Sequence, residues 1–394
     1  MRLVGTTVRG IRTPIIKEND DLASIVVDSV INASESEGFN FKDKDIIAIT
    51  EAVVGISEGN YATVDNIVSD LNAKFPSKKI GIVYPILSRN RFSMILKAIA
   101  RAMDKVTILL SFPSDEVGNG IMDENLLSAS PFNLGSLISE EDYEKYFGTF
   151  IHPFTGINMV DYYRDLVKSE NCDVEFVFSN NPSDILKYTN NVLTCDIHSR
   201  FKTKKVLSEQ GAFVLSLSDI LNESVGGSGF NPDYGLLGSN KSTDERLKLF
   251  PKDGASLVLK IKDEMFKRTS KNFEVMVYGD GAFKDPVGGI WELADPVVSP
   301  FYTEGLKGTP NEIKLKYVSD NMFADLRGDE LKDAIKEEIK KKDNDLKGQN
   351  VSLGTTPRRI TDLVGSLCDL TSGSGDKGTP VVLVQGYFDN LADE

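Results

Sequence analysis

Ile80-Gly-Ile-Val-Tyr84, Phe92-Ser-Met-Ile-Leu-Lys-Ala-Ile-Ala-Arg-Ala-Met103 and Val106-Thr-Ile-Leu-Leu110 decide the fold class of this chain. Two short apolar runs flank a longer segment whose apolar residues recur at helical spacing, which reads as strand, helix, strand. The same alternation extends outward from there. Toward the amino terminus, Leu3–Val8 and Asp45–Thr50 read as strands. Leu22 to Ala33 places Leu22, Ile25, Val26, Val30 and Ala33 on one helical face, and Val64 to Phe75 is amphipathic. Toward the carboxyl terminus, Val174–Phe178, Val192–Cys195, Ala212–Ser216, Phe273–Val277 and Val381–Val384 are strand candidates. Helices are expected at Ala255–Lys267, Leu331–Lys342 and Ile360–Leu370. The expectation is an α/β protein with α+β elements. Its 394 residues exceed one ordinary core and predict two domains. The sequence divides into an α/β part at 1–117, a middle segment at 118–225 that opens with a Gly-, Asn- and Ser-rich stretch, and a loop-rich part at 226–394.

Lys and Arg number 45 against 59 Asp and Glu, so the net charge of −14 disfavours nucleic-acid binding without a local basic patch. No apolar run approaches the ~20 residues that cross a bilayer. Cys172, Cys195 and Cys368 show no CxxC spacing, and there are only two histidines, which argues against a Cys/His zinc site. With no secretory signal in view, the expected location is the cytoplasm, without membrane or nucleic-acid partners.

Four segments have compositions that make little sense as core. In Gly226–Asn240, glycines allow backbone amides to approach an anion, while Asp233, Ser239 and Asn240 supply oxygen donors. Tyr278–Pro286 follows an apolar strand, where α/β sheets bind ligands. Its Asp280 and Asp285 are hard donors suited to Mg²⁺ or Mn²⁺. Thr371–Pro380 combines glycines with Lys377 in the manner of a phosphate cradle, although the Walker spacing is absent. Arg9 and Arg12 flank a tight turn and can clamp a phosphate or carboxylate. The competing reading of each segment is a solvated turn or connector. Leu87–Phe92 offers a further anion contact, but Arg91 at a helix start reads first as solvated, and His198 beside Asp196 and Arg200 reads as structural.

These loops in this order resemble the coenzyme F-420 gamma-glutamyl ligase family. The likeness is carried by Gly10-Ile-Arg12, Asn19–Leu22, Asp45–Val54, Ser57-Glu-Gly59, Gly235–Asn240, Leu249-Phe-Pro251, Gly281–Pro286, Asp362–Leu367 and Thr379–Gly386. The resemblance implies an intertwined homodimer that joins L-glutamate to a small acidic cofactor acceptor. GTP (or ATP) would phosphorylate the acceptor carboxylate, with a divalent metal on the phosphates. The family's nucleotide-contacting Asn falls on Asn240, with Ser239 beside it. Its metal-binding Asp falls on Leu237, leaving Asp233 as the substitute, and a one-residue gap makes Asp280 a second metal ligand. Two expected lysines are Ala52 and Ile56. The tail's acidic ligand falls near Gly373 or Ser374, with Asp376 the nearest carboxylate, so Ser374, Gly375 and Asp376 are expected at the phosphates. Asp280, Asp285 and Lys377 are the expected catalytic residues, with Arg9 and Arg12 helping to hold the nucleotide. Two further readings stand beside this one: a folate gamma-glutamyl ligase, and a nucleotide- or cofactor-binding protein without turnover.

Overall fold

The computed structural model describes residues 3–153, 155–279, 299–355, 358–372 and 376–393, together with the backbone of 282–284 and 291–293. It is a mixed α/β structure containing several sheets. One sheet has five strands in the order Thr7–Ile11, Val381–Gln385, Ile46–Thr50, Glu274–Tyr278 and Phe301–Tyr302. Ile46–Thr50 and Glu274–Tyr278 run parallel, and the other neighbours are antiparallel. The unbroken apolar run Ile46-Ile-Ala-Ile49 is explained by burial on both faces. Ile47 and Ile49 pack with helices Leu22–Glu37 and Gly254–Thr269, while Ile46 and Ala48 pack with helix Ile360–Ser372. Helix Leu22–Glu37 starts where the Asp21 carboxylate accepts from the Ser24 amide, and it stops at Gly38 in the left-handed region.

A second sheet has six strands in the order Ile138–Ser139, Asp173–Phe178, Lys105–Leu110, Lys79–Val83, Asn191–Thr194 and Phe213–Ser216. All but the short Ile138–Ser139 edge are parallel. Chain order along the five parallel strands is three, two, one, four, five, a doubly wound arrangement whose order reverses beside Lys79–Val83. Helices Val64–Lys74, Phe92–Ala102 and Met159–Ser169 pack into the large core on one face, and Leu207 of helix Arg200–Glu209 packs on the other. The pairing of Lys105–Leu110 with Asp173–Phe178 carries this sheet across residue 117 without a break.

Every strand and helix expected above has a counterpart shifted by a few residues, the largest shift being Thr7–Ile11 for the first strand. That displacement follows from pairing: Val8, Gly10 and Ile11 find partners on Val381–Gln385, whereas Leu3 and Val4 are exposed. Helices Met159–Ser169 and Arg200–Glu209 are additions to the expected set. The second carries Lys and Ser between its few buried positions, so its period is faint in the sequence.

The Gly226–Asn240 segment wraps from the six-stranded sheet to a hairpin formed by Asn240–Thr243 and Arg246–Lys248, which pairs with Tyr61–Thr63. Gly235 anchors the turn: its φ is +53°, and an added Cβ would lie 2.4 Å from the Ile220 carbonyl and 2.6 Å from that of Leu217. Neither backbone oxygen can swing away as a side chain would. Gly235→Ala is therefore expected to lower folding stability by about 1–3 kcal/mol, as overpacking does. Urea unfolding of wild type and variant measures this, and equal midpoints would remove Gly235 as an anchor.

Candidate active site

Thr50 and Tyr278 lie side by side at the carboxyl ends of their parallel strands, and Ile11 and Val381 share that edge of the sheet. Loops leaving this edge build two cavities. The first encloses about 610 Å³ and is walled by Thr50–Val53, Asn240–Ser242, Asn90–Arg91, Asp369 and Gly378–Pro380. Each wall has a local cause. Helix Glu51–Ser57 begins directly at the strand end, so Glu51 turns inward and is buried. The hairpin is fixed to the loop after Lys79–Val83 by the Lys241 amide, which donates to the Asn90 carbonyl at 2.7 Å. On its outer side, Arg101 and Lys97 donate to Glu245, and these bonds hold its carboxyl down at about 2. The tail closes the cavity where the Thr50 amide donates to the Pro380 carbonyl at 2.9 Å and Thr379 Oγ1 donates to the Ser372 carbonyl at 3.0 Å.

A buried ion pair sits in the wall. Lys248 Nζ lies 3.0 Å from Glu51 Oε2, with the two side chains 8% and 10% exposed. Arg91, Lys241 and Lys248 line the cavity with Glu51 and Asp369; Lys248 is paired with Glu51, and Lys241 Nζ lies 2.6 Å from Asp244 Oδ1. Tyr61 contributes an aromatic surface, with the Arg246 guanidinium 3.8 Å from its ring centre. Beneath the tail, Tyr278 Oη donates to Ser372 Oγ at 2.7 Å, and burial pushes the phenol well above its ordinary value. A wall with cationic hydrogen-bond donors and an aromatic face suits a phosphate-bearing ligand with a planar base.

The second cavity, about 960 Å³, runs between edge strand Thr7–Ile11 and helix Leu22–Glu37. It brings together Arg9, Arg12 and Lys377 and shares Thr379 with the first cavity. The expected site residues are thus divided. Asn240 lines the first cavity, while Arg9, Arg12 and Lys377 line the second. Ser239 lies behind the first cavity, 2% exposed, in an apolar slot with Ile86, Cys195 and Leu237. Asp233 and Asp376 are exposed and line neither cavity. Asp280, Asp285, Ser374 and Gly375 lie outside the described residues. Glu51, Lys248 and Asp369 were missed by sequence reasoning. Their one signal was an acid directly after an apolar strand, and a pair separated by 197 positions gives no local trace.

A family model for F420-0:gamma-glutamyl ligase matches residues 10–386, nearly the whole chain, including the wall of the first cavity and all of the second except Arg9. The chain belongs to the F420-0:gamma-glutamyl ligase family. None of the curated proteins compared with it matches. Of the first cavity's wall, Thr50–Val53, Asn240, Thr379 and Pro380 fall in the segments where the sequence resembled the family. The departures from the ligase pattern also take physical form. Leu237 is 3% exposed and packs in the core. Ala52 and Ile56 line the first cavity, so two apolar side chains stand where lysines were expected. Among the described residues, no three His, Cys, Asp or Glu side chains come together as a metal site. The described residues therefore do not by themselves form a divalent-cation site: Glu51 is already engaged by Lys248, and only Asp369 joins it as a carboxylate on the wall. No described helix is long and apolar enough to cross a membrane.

Removing one partner of a buried ion pair strands the other charge, which typically costs 3–5 kcal/mol, whereas removing both costs much less. Lys248→Met is accordingly expected to be far less stable than Glu51→Gln/Lys248→Met. Thermal unfolding of the two proteins checks the order, and a double variant no better than the single would remove the pair from the wall's design.

Proposed function

We propose that the protein is a nucleotide-driven ligase that forms a γ-glutamyl amide between L-glutamate and a small acidic acceptor of the F-420 precursor type. The observation that carries this is the first cavity: Asn240, Lys241, Arg91 and Lys248 ring one space at the carboxyl ends of the central strands of a chain belonging to a gamma-glutamyl ligase family. GTP, or ATP in its place, would enter there, its phosphates facing these donors and its base near Tyr61. The γ-phosphoryl group passes to an acceptor carboxylate oxygen as the nucleoside diphosphate leaves. The glutamate amine then attacks the acyl carbon: a C–N bond forms, the C–O bond to phosphate breaks, inorganic phosphate departs and the amine proton is released. Preorganised cations in a partly desolvated cavity stabilise the charge that builds on the transferring group.

Mg²⁺ or Mn²⁺ would arrive with the nucleotide. Asp280 is our candidate ligand, because it follows strand Glu274–Tyr278, which ends opposite Thr50 at the cavity wall. Asp285, Ser374 and Gly375 remain proposed neighbours of the phosphates, whereas Asp233 and Asp376, which line neither cavity, take no part in this reading. We place the reaction in the cytoplasm and propose a homodimer.

Ala52 and Ile56 in the cavity wall, with Leu237 buried in the core, favour a second reading, a nucleotide- or cofactor-binding protein without turnover on the same scaffold. Phosphate release separates the two. With nucleotide, Mg²⁺ and L-glutamate, release is expected only once the deazaflavin precursor or a folate is added. Nucleotide binding without release under any acceptor would establish the binder instead. In parallel, Asp280→Asn is expected to abolish metal-dependent nucleotide binding in titration calorimetry; wild-type affinity in that variant would remove Asp280 from the site.

A further inference from the structure

The strand that brings Asn240 and Lys241 to the first cavity has no apolar anchor of its own. Lys241, Ser242 and Thr243 are exposed, whereas Leu247 and Leu249 on the returning side are fully buried. Strand Asn240–Thr243 is an edge: it pairs only with Arg246–Lys248, and its register slips between Lys241 and Thr243. Burial of apolar surface therefore fixes the returning strand and leaves the cavity-lining one to polar restraints. At its near end the restraint is the bond from the Lys241 amide to the Asn90 carbonyl. At the turn it comes from outside the hairpin.

One guanidinium supplies most of it. Helix Phe92–Ala102 carries Lys97 and Arg101 four residues apart, so both reach the same turn. Arg101 Nη1 donates to Glu245 Oε2 at 2.9 Å and Nη2 to Glu245 Oε1 at 3.2 Å. A second fork, from Nε and Nη2, meets the two Glu170 oxygens at 2.8 and 3.2 Å, and Nη1 also donates to Asp65 Oδ1 at 2.9 Å. All five N–H donors of the guanidinium are thus engaged. Lys97 Nζ adds a bond to the Asp244 carbonyl at 3.0 Å. Asp65 lies in the first turn of helix Val64–Lys74, Glu170 follows helix Met159–Ser169 directly, and Arg101 is in the last turn of its own helix. The ends of three helices therefore converge on Glu245. A lone exposed ion pair restrains little, but a doubly forked guanidinium fixes direction as well as distance. The helix that ends in this clamp begins at Arg91, itself in the cavity wall.

We propose that Arg101 is a positioning residue for the first cavity: acting through Glu245, it sets where Asn240 and Lys241 stand. Arg101 lines neither cavity, so it acts without touching the ligand. The consequence for binding rests on the nucleotide reading given above. Once the turn is released, Asn240, Lys241 and the Asp244 carboxylate beside Lys241 Nζ lose their fixed places, and the nucleotide must reorder them as it binds.

Two measurements on the full chain test this. Amide hydrogen exchange of residues 240–248 without ligand is expected to run about threefold faster or more in Arg101→Gln and in Glu245→Gln. In titration calorimetry with a non-hydrolysable GTP or ATP analogue and Mg²⁺, each variant is expected to raise the nucleotide Kd by about threefold to tenfold. Arg101→Lys, which keeps the charge and loses the fork, should fall between wild type and Arg101→Gln. The double variant Arg101→Gln/Glu245→Gln should bind no worse than either single one, because both remove the same contact. Losses that simply add would overturn the proposal, since Arg101 would then act by some route other than Glu245. Wild-type exchange in the single variants, or faster exchange with an unchanged nucleotide Kd, would overturn it as well. Glu245→Gln leaves the bonds of Arg101 to Glu170 and Asp65 in place, so the test stands even where Arg101→Gln fails to fold. Hairpin exchange that depends on Arg101 and Glu245, in a protein that binds no nucleotide, would keep the positioning of the hairpin and remove the nucleotide reading.

Discussion

The insertion of Val381–Gln385 between Thr7–Ile11 and Ile46–Thr50 is the constraint on which the structure depends. All five inserted residues are buried, and the strand pairs along both edges. Burying four aliphatic side chains of this size contributes several kcal/mol, roughly 1.5–3 each before entropy is counted. Closing the chain end to end costs little more than closing a shorter loop, because the entropy of closure grows only logarithmically. The last strand therefore completes the sheet begun by the first residues. The tail just ahead of it must then lie across the sheet edge from which the two cavities open. Gly10 shows how closely it lies there: a Cβ at that position would come within 3.1 Å of Thr379.

From that insertion follows the partition of the site. Lys377–Pro380 runs between the two cavities, and residues from both chain ends line them. A single glycine-rich tail thereby separates a space walled by Glu51, Asn240 and Lys248 from one walled by Arg9, Arg12 and Glu37. Cationic side chains line both spaces, Arg91, Lys241 and Lys248 the first and Arg9, Arg12 and Lys377 the second, which favours anions locally. The overall charge of −14 opposes this at long range. At physiological ionic strength that field fades within about 8 Å, so the local cations govern binding.

The six-stranded sheet meets this edge through one loop. Its strand order reverses beside Lys79–Val83, where doubly wound sheets open a crevice. Here Ile86, Cys195, Ile197 and Leu217 fill that crevice, and Leu236 and Leu237 roof it. What the sheet sends to the cavity is the loop after its first strand, whose Asn90 and Arg91 reach the hairpin. The buried Leu237 fits this division, as the segment that bends over the crevice packs as core at that position.

Much of this was written in the sequence, because it depends on local period and composition. Alternation of Ile80–Tyr84, Phe92–Met103 and Val106–Leu110 was enough for the class, since each element's own pattern matches the element it forms. The ordered loop motifs were enough for the family. Which loops meet could not be read there. Arg9, Arg12 and Lys377 look like companions of Asn240 along the chain, yet they occupy a different cavity, because a strand and the tail stand between them. Glu51 and Lys248 look like unrelated charges, yet they form one buried pair. Period and motif are properties of neighbours in sequence, so the sequence determined the elements and their kind. Cavities and ion pairs are properties of strand order and register, fixed only when burial of distant apolar runs selects one pairing, and that the tertiary structure decided.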